Sequence, residues 1–151
     1  MSRVTVFDPV AAAIEIFAET KRLVEEISKK FEEEKNKREF EKKLGGKLRT
    51  RAREAPELIE EIGLVPALSF FYSKRDNEEY KLMHWAILRY LKNINVVTTV
   101  DNIDSAINSP DIMINLLKEL LTKSVVATPL LRPFLVEFKR LCEATWEPLG
   151  E

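Results

Sequence analysis

The sequence predicts an all-α fold, a compact bundle of about six helices. Apolar residues recur at helical spacing along most of the chain, which indicates helices with one buried face. Only four glycines and seven prolines occur in 151 residues, so the tight turns that a sandwich or barrel needs are scarce. Hydrophobic residues make up 45% and charged residues 32%, a composition that suits a folded domain with a real core. We therefore expect one helical domain across residues 1–151.

The first predicted helix is long and charged. Asp8-Pro9 offers an N-cap acceptor followed by proline at the first helical position. Apolar residues then recur at near-heptad spacing as far as Phe31. Beyond them, Glu/Lys and Glu/Arg pairs at i, i+4 with the acid first favour a helix that reaches about Leu44. We expect Gly45-Gly46 to end it.

Residues 32–53 hold an uneven share of the charge. Between Lys35 and Arg53 there are nine bases and two acids, a local charge of +7 in a chain whose net charge is −1. Such a concentration is typical of a surface that binds a polyanion, and it would equally suit an acidic face of a neighbouring protein. We interpret this segment as a charged extension that projects from the bundle, lies along a partner or is simply solvated. Its candidate nucleic-acid contacts are Lys47, Arg49, Arg51 and Arg53.

A pair of helices around Gly63 forms the predicted centre of the fold. Pro56 suits the first turn of a helix, and Gly63 suits the positive-φ position that ends one. The helix that follows is apolar almost all round, so it has to be buried. We expect Phe70 to lie at the centre of the bundle. Few polar side chains remain on this helix to read base edges, which argues against a DNA-binding helix-turn-helix.

Three more helices follow. Asp76 and Glu79 form a predicted capping box before the fourth helix. Ser109-Pro110 and Thr128-Pro129 are expected to begin the fifth and sixth. Pro133 lies one turn into the last helix and should bend it or delay its start.

The residue types of an active site are scarce. The chain has one histidine, His84, and one cysteine, Cys142, and both fall on apolar helix faces. For His84 a partly buried, hydrogen-bonded place in the core is the stronger interpretation, over a metal ligand or a catalytic base. For Cys142 a buried structural thiol is the stronger interpretation, over a reactive one. No glycine-rich phosphate loop, Cys/His metal spacing or nucleophile with a base is visible. We therefore expect no enzymatic activity, no metal and no cofactor.

Two further features concern where the protein works. No apolar run approaches the roughly 18 residues of a membrane span, and no signal sequence is visible, so we expect a cytoplasmic protein. Of 25 acids 20 are Glu, and of 24 bases 14 are Lys, a bias that suggests a thermophile.

Short motifs in two parts of the chain carry a family resemblance. A basic run and a proline-led helix precede Ile62-Gly63-Leu64 and the stretch Phe70-Phe71-Tyr72-Ser73-Lys74. Near the C-terminus, Ala127-Thr128 precedes an apolar stripe that ends in Phe138-Lys139-Arg140-Leu141. This pattern of helices and small motifs resembles the small subunit of the type III-B (Cmr) CRISPR effector complex.

The resemblance implies a non-catalytic subunit that stacks in more than one copy along the middle of an RNA-guided antiviral complex. There it would support the backbone of the duplex between guide RNA and target RNA, and its partners would be other Cmr subunits and copies of itself. Lys74 carries over by motif and, with its neighbour Arg75, joins the candidate RNA contacts. The motif positions expected to be structural are Pro56, Gly63, Leu64, Phe70 and Phe138. From the residues alone, the alternative is a helical adaptor that joins proteins and never touches nucleic acid.

Overall fold

Residues 8–149 are described by a computed structural model and contain six α-helices. These are α1 (Pro9–Ser28), α2 (Glu34–Ile62), α3 (Leu64–Ser73), α4 (Glu78–Asn93), α5 (Ile103–Asn108) and α6 (Pro110–Thr145). Within this part of the chain there is no strand, and the predicted all-α bundle is confirmed. None of the six helices combines the length and apolar character that a membrane crossing would need.

The central helix is α4, whereas the sequence predicted that α3 would occupy this position. α4 contacts each of the other five helices, and residues 82–88 are all buried. Around it, the long helices α2 and α6 pack on each other and on α1. α3 is a short helix at the side of the bundle, and only one of its faces is buried. Its apolar composition therefore predicted more burial than the structure shows.

The predicted long first helix is wrong. α1 ends at Ser28, and a turn over residues 29–33 separates it from α2. In this turn the backbone nitrogen of Phe31 donates to the carbonyl of Ser28 at 3.2 Å. Because the chain changes direction in this turn, Phe31 packs on Phe40 of α2, with 5.1 Å between the ring centroids. On one continuous helix the two rings could not meet in this way. The Glu/Lys and Glu/Arg pairs that follow Phe31 in the sequence therefore belong to the start of a second helix, α2.

Gly45-Gly46 does not end a helix, because α2 continues through both residues. The C-terminal segment crosses α2 at this point. A Cβ atom at Gly45 would overlap the indole of Trp146, and one at Gly46 would lie 3.0 Å from Leu149 Cδ2. The glycines therefore permit a close approach of chain to helix. Between them and Ala52 the α2 helix is partly buried, so this part of segment 32–53 lies within the bundle.

Two of the predicted helix starts at proline are also wrong. Pro56 lies inside α2, and α6 runs through Thr128-Pro129 and Pro133 without a break. A proline inside a helix leaves the carbonyl four residues earlier without its hydrogen bond. In α6 these carbonyls belong to Val125 and Pro129, both of which are exposed, so water can replace the missing donors.

The remaining helix ends follow local chemistry. Gly63 has a φ of +93°, which favours glycine, and its nitrogen donates to Ile59 at 2.9 Å, so the predicted corner is confirmed. The predicted cap at Ser109 is confirmed too, because its hydroxyl accepts from the nitrogen of Ile112. The capping box at Asp76 is wrong. The turn after α3 continues one residue further, and Asn77 precedes α4 without a side-chain cap.

A single carboxylate holds the loop between α4 and α5. Glu119 accepts hydrogen bonds from the backbone nitrogens and hydroxyls of Thr98 and Thr99, and from Lys123 Nζ at 2.7 Å. Burial alone would raise the pKa of Glu119, but the bonds from Lys123, Thr98 and Thr99 outweigh burial and lower the pKa to about 2. The charged form of Glu119 therefore stabilises the folded chain.

We expect Glu119→Gln to lower the free energy of unfolding at pH 7 by about 1–3 kcal/mol, because the amide nitrogen cannot accept a bond from Lys123. The pKa of Glu119 is lowered by folding, so its stabilising effect is complete above its ordinary value of 4.5 and is lost as the pH falls toward about 2. Urea unfolding of both proteins at several pH values measures this difference. It should shrink steadily below about pH 4.5. A difference that stays constant down to about pH 3 would contradict the assignment.

Candidate nucleic-acid interface

The basic residues of α2 divide between two sides of the helix. Successive helical residues are about 100° apart, so bases at every second position are turned by about 200°. Lys47 and Arg51 therefore lie on one side, and Arg49 and Arg53 lie on the other. The alternation that would give one basic face in a strand gives two separate pairs here.

Arg49 binds the C-terminus of α6. Its Nη1 atom donates to the carbonyl of Glu143 at 3.0 Å and to that of Trp146 at 3.1 Å. The last carbonyls of a helix lack partners within the helix, and a guanidinium is well suited to satisfy them. The structure thus gives Arg49 a role in joining α2 to α6, next to the contact between Gly45 and Trp146.

Arg51 binds α4 on the opposite side of α2. Its guanidinium lies over the ring of Tyr80, with Cζ 4.7 Å from the ring centroid, and its Nη1 atom hydrogen-bonds the Tyr80 hydroxyl. Its Nη2 atom also lies 3.2 Å from a carboxylate oxygen of Glu54. These contacts fix Tyr80 in place, so Arg51 supports neighbouring aromatic side chains.

In the described part of the chain, four of the six candidate bases have no carboxylate partner and, unlike Arg49, do not bond the end of a remote helix. Within residues 8–149, none of them has a carboxylate oxygen within 4.0 Å. They are Lys47, Arg53, Lys74 and Arg75. Unpaired bases of this kind are the ones available to phosphate.

Three of these four bases border the start of α4. Lys47 lines a groove of about 250 Å³ between α2 and α4, with Glu78 and Glu79 on its other wall. Lys74 and Arg75 lie in the exposed turn between α3 and α4. Arg53 is exposed on the far side of α2 and does not join them. The structure therefore brings Lys47, Lys74 and Arg75 to the same end of α4, where α3 and α4 meet.

Phe70 is at this surface, and the prediction that it lies at the bundle centre is wrong. Its side chain is 39% exposed, whereas that of Phe71 is 1% exposed. The inward residues of α3 follow the pattern i, i+3, i+4, i+7 from Leu64 to Phe71, and Phe70 falls outside this pattern. Its ring packs edge-on against Tyr80, with 5.8 Å between centroids, and Lys74 Nζ lies 5.9 Å from its centroid. Applied strictly, this helical spacing would have identified Phe70 as an exposed aromatic residue.

We define the α3–α4 corner as the cluster around the turn that joins these two helices. Arg75 lies over the ring of Tyr72, with Cζ 4.2 Å from the centroid, and donates to its carbonyl at 3.0 Å. The corner thus combines three aromatic rings with three cations. Its members are Arg51, Phe70, Tyr72, Lys74, Arg75 and Tyr80.

The remaining residues singled out by the sequence are internal. His84 is buried, as predicted, and burial lowers its pKa to about 3. The hydrogen bond expected for its imidazole is not found at Nε2, which has no partner among residues 8–149. Burial likewise raises the pKa of the Cys142 thiol. Leu64 and Phe138 are buried as well. In the described part of the chain, no three His, Cys, Asp or Glu side chains are grouped to hold a metal ion.

A second surface feature is an apolar stripe on α6. Ile114, Leu121 and Val125 lie within about 40° of one another around the helix, and their side chains are 51%, 62% and 87% exposed. A run of exposed apolar side chains along one helix is typical of a surface that contacts another protein. We call these three residues the α6 stripe.

Comparison with known protein families gives a match over most of the chain. The family model described as CRISPR-associated protein (Cas_Cmr5) matches residues 18–145, well over half of the chain. No curated protein and no solved structure matches the chain. The matched range begins within α1 and ends with α6, so it includes both the α3–α4 corner and the α6 stripe.

Proposed function

The chain belongs to the Cas_Cmr5 family and is a CRISPR-associated small subunit of the type III-B (Cmr) complex, and on that premise we propose that it supports the backbone of the guide–target RNA duplex. The observation that carries this proposal is the group of unpaired bases at the end of α4, namely Lys47, Lys74 and Arg75. Lysine and arginine neutralise phosphates without reading sequence, which is what a backbone support requires.

The proposed role is not catalytic. The two side chains best suited to acid–base or nucleophilic chemistry, His84 and Cys142, are buried. The lowered pKa of His84 keeps its imidazole neutral near pH 7, and the raised pKa of Cys142 keeps its thiol protonated. We therefore assign RNA and DNA cutting to other subunits of the complex.

The test uses the bases that the structure leaves unpaired. Arg49 and Arg51 are unsuitable, because their removal would loosen α6 or α4. We expect Lys47→Ala/Lys74→Ala/Arg75→Ala in the reconstituted complex to preserve assembly and to weaken target-RNA binding. Each lost phosphate contact should shallow the slope of log K against log salt by about 0.7–0.9, so the triple variant should shallow it by about two to three. Equilibrium binding at several salt concentrations measures the slope.

A matched variant controls for net charge. Arg22→Ala/Lys35→Ala/Arg53→Ala removes three exposed bases, none with a carboxylate within 4.0 Å among the described residues, from α1 and from the far side of α2. We expect this control to change the slope of log K against log salt by less than the loss of one phosphate contact would, which is about 0.7–0.9. Equal slopes for the two triple variants would overturn the assignment of the RNA path to this end of α4.

A second candidate function is a helical adaptor that contacts only proteins, and the α6 stripe favours it. Its three exposed apolar side chains would be covered by a neighbouring subunit or by a second copy of this chain. The same experiment separates the two functions. Loss of assembly in the first triple variant, with an unchanged salt slope in whatever complex remains, would favour the adaptor.

A further inference from the structure

Phe70 presents an aromatic ring that the core does not use. The core position on this part of α3 is filled by Phe71, while Phe70 is 39% exposed. Tyr80 supports the ring of Phe70 from one side, at an interplanar angle of 78°, and Arg51 in turn fixes Tyr80. The ring therefore packs on Tyr80 on one side and keeps part of its surface open to solvent.

The surroundings of this ring are polar and cationic. Ser69 and Ser73 are exposed beside it on α3, and Pro66 is exposed one turn earlier, so most of the exposed neighbours of Phe70 on this helix are polar. Lys74 Nζ lies 5.9 Å from the Phe70 centroid, and Arg75 follows directly in the turn. Sites for single-stranded nucleic acid combine the same parts, an aromatic ring on which a base stacks and cations that follow the phosphates.

We propose that Phe70 stacks on an unpaired base of single-stranded RNA, while Lys74 and Arg75 contact the adjoining phosphates. The inference rests on the proposed function for the class of its ligand and adds the requirement for an unpaired base. Bases inside a duplex are already stacked on both neighbours, so the interior of a duplex offers no free face to Phe70. Asp76 in the same turn offsets part of the local positive charge, so stacking should supply more of the affinity than phosphate contacts.

The test compares Phe70→Leu with Phe70→Tyr in the full chain. Leucine keeps an apolar side chain but removes the aromatic face, whereas tyrosine keeps it. The probes are a fluorescently labelled oligoadenylate and a blunt RNA duplex of equal length, measured by fluorescence anisotropy at low and moderate salt. We expect Phe70→Leu to weaken oligoadenylate binding about 5- to 100-fold without changing its salt slope, and Phe70→Tyr to stay within about threefold of wild type. Duplex binding should be unchanged in both.

Several outcomes would overturn the inference. They are no binding of oligoadenylate by the wild-type chain at low salt, equal loss on single strand and duplex, or no loss in Phe70→Leu. Helical circular dichroism of both variants verifies that they fold. Different measurements test the two proposals. The backbone proposal depends on a shallower salt slope in the triple variant, whereas the stacking proposal depends on weaker binding in Phe70→Leu with the salt slope unchanged. Retained RNA binding in Phe70→Leu, with impaired association with another subunit, would instead identify Phe70 as a protein contact.

Discussion

Phe71→Ala is expected to lower the free energy of unfolding by about 3–5 kcal/mol, the range for emptying a buried aromatic site. The Phe71 side chain is 1% exposed and packs between α3 and α4, with its ring centroid 6.1 Å from that of Tyr80. Its removal leaves a cavity that the closely packed neighbours fill only in part. Urea unfolding followed by circular dichroism should show a lower midpoint with an unchanged denaturant slope.

Phe70→Ala is the matched control, because it makes the same change one residue away on the same helix. With 39% of its side chain exposed, Phe70 should cost only about 1 kcal/mol when truncated. Equal losses in the two variants would show that both rings are buried, and the α3–α4 corner would then have no free aromatic face.

The contrast between these neighbours shows what the sequence could and could not predict about α3. Its apolar composition indicated a buried helix, and because it is apolar almost all round, composition did not identify the side that faces the core. Only the helical spacing of the buried residues from Leu64 to Phe71 identifies the inward side. A shift of one residue along the helix separates the buried Phe71 from the exposed Phe70. Local signals were more reliable: Gly63 and Ser109 form a helix end and a helix start because the chemistry that defines them lies within a few residues.

Other features depend on contacts that are remote in sequence. Gly45-Gly46 was interpreted as a helix end because glycine is a poor helix former, but Trp146, about a hundred residues later, requires the space. The prolines at 129 and 133 were interpreted as a helix start and a bend, but solvent exposure of the α6 surface allows the helix to continue. Propensity describes a residue in isolation, and these positions are decided by what packs against them.

The sequence predicted where the positive charge of the candidate interface is concentrated, but not which of its bases bond other parts of the fold. Counting bases identified the segment that ends at Arg53, yet it could not show that Arg49 bonds Glu143 or that Arg51 bonds Tyr80. Arg49 joins α2 to the end of α6, whereas Arg51 joins α2 to Tyr80 of α4, which packs on Phe70 in the α3–α4 corner. The basic segment thus has two parts, one that holds the helices together and one that stays free for a partner.

Gly45→Ala is expected to lower the free energy of unfolding by about 1–3 kcal/mol, the usual cost of forcing an extra group into a packed site. Alanine is the better helix former by about 1 kcal/mol, but its Cβ would overlap the indole of Trp146. That indole has little freedom to move, since it packs on Phe17 with 5.4 Å between ring centroids, and Arg49 holds the Trp146 carbonyl. Urea unfolding measures the loss, and a red shift of tryptophan fluorescence would report displacement of the indole.

Gly46→Ala is the matched control on the same helix, and it should differ in outcome. Its added Cβ would lie 3.0 Å from Leu149 Cδ2 and 3.1 Å from the Glu147 carbonyl, both in the exposed end of the described chain. Leu149 can move aside into solvent, and the gain in helix propensity offsets the crowding, so we expect stability within about 1 kcal/mol of wild type. If Gly45→Ala is as stable as Gly46→Ala, the indole leaves α2 at no cost, and the contact between Gly45 and Trp146 does not stabilise the fold.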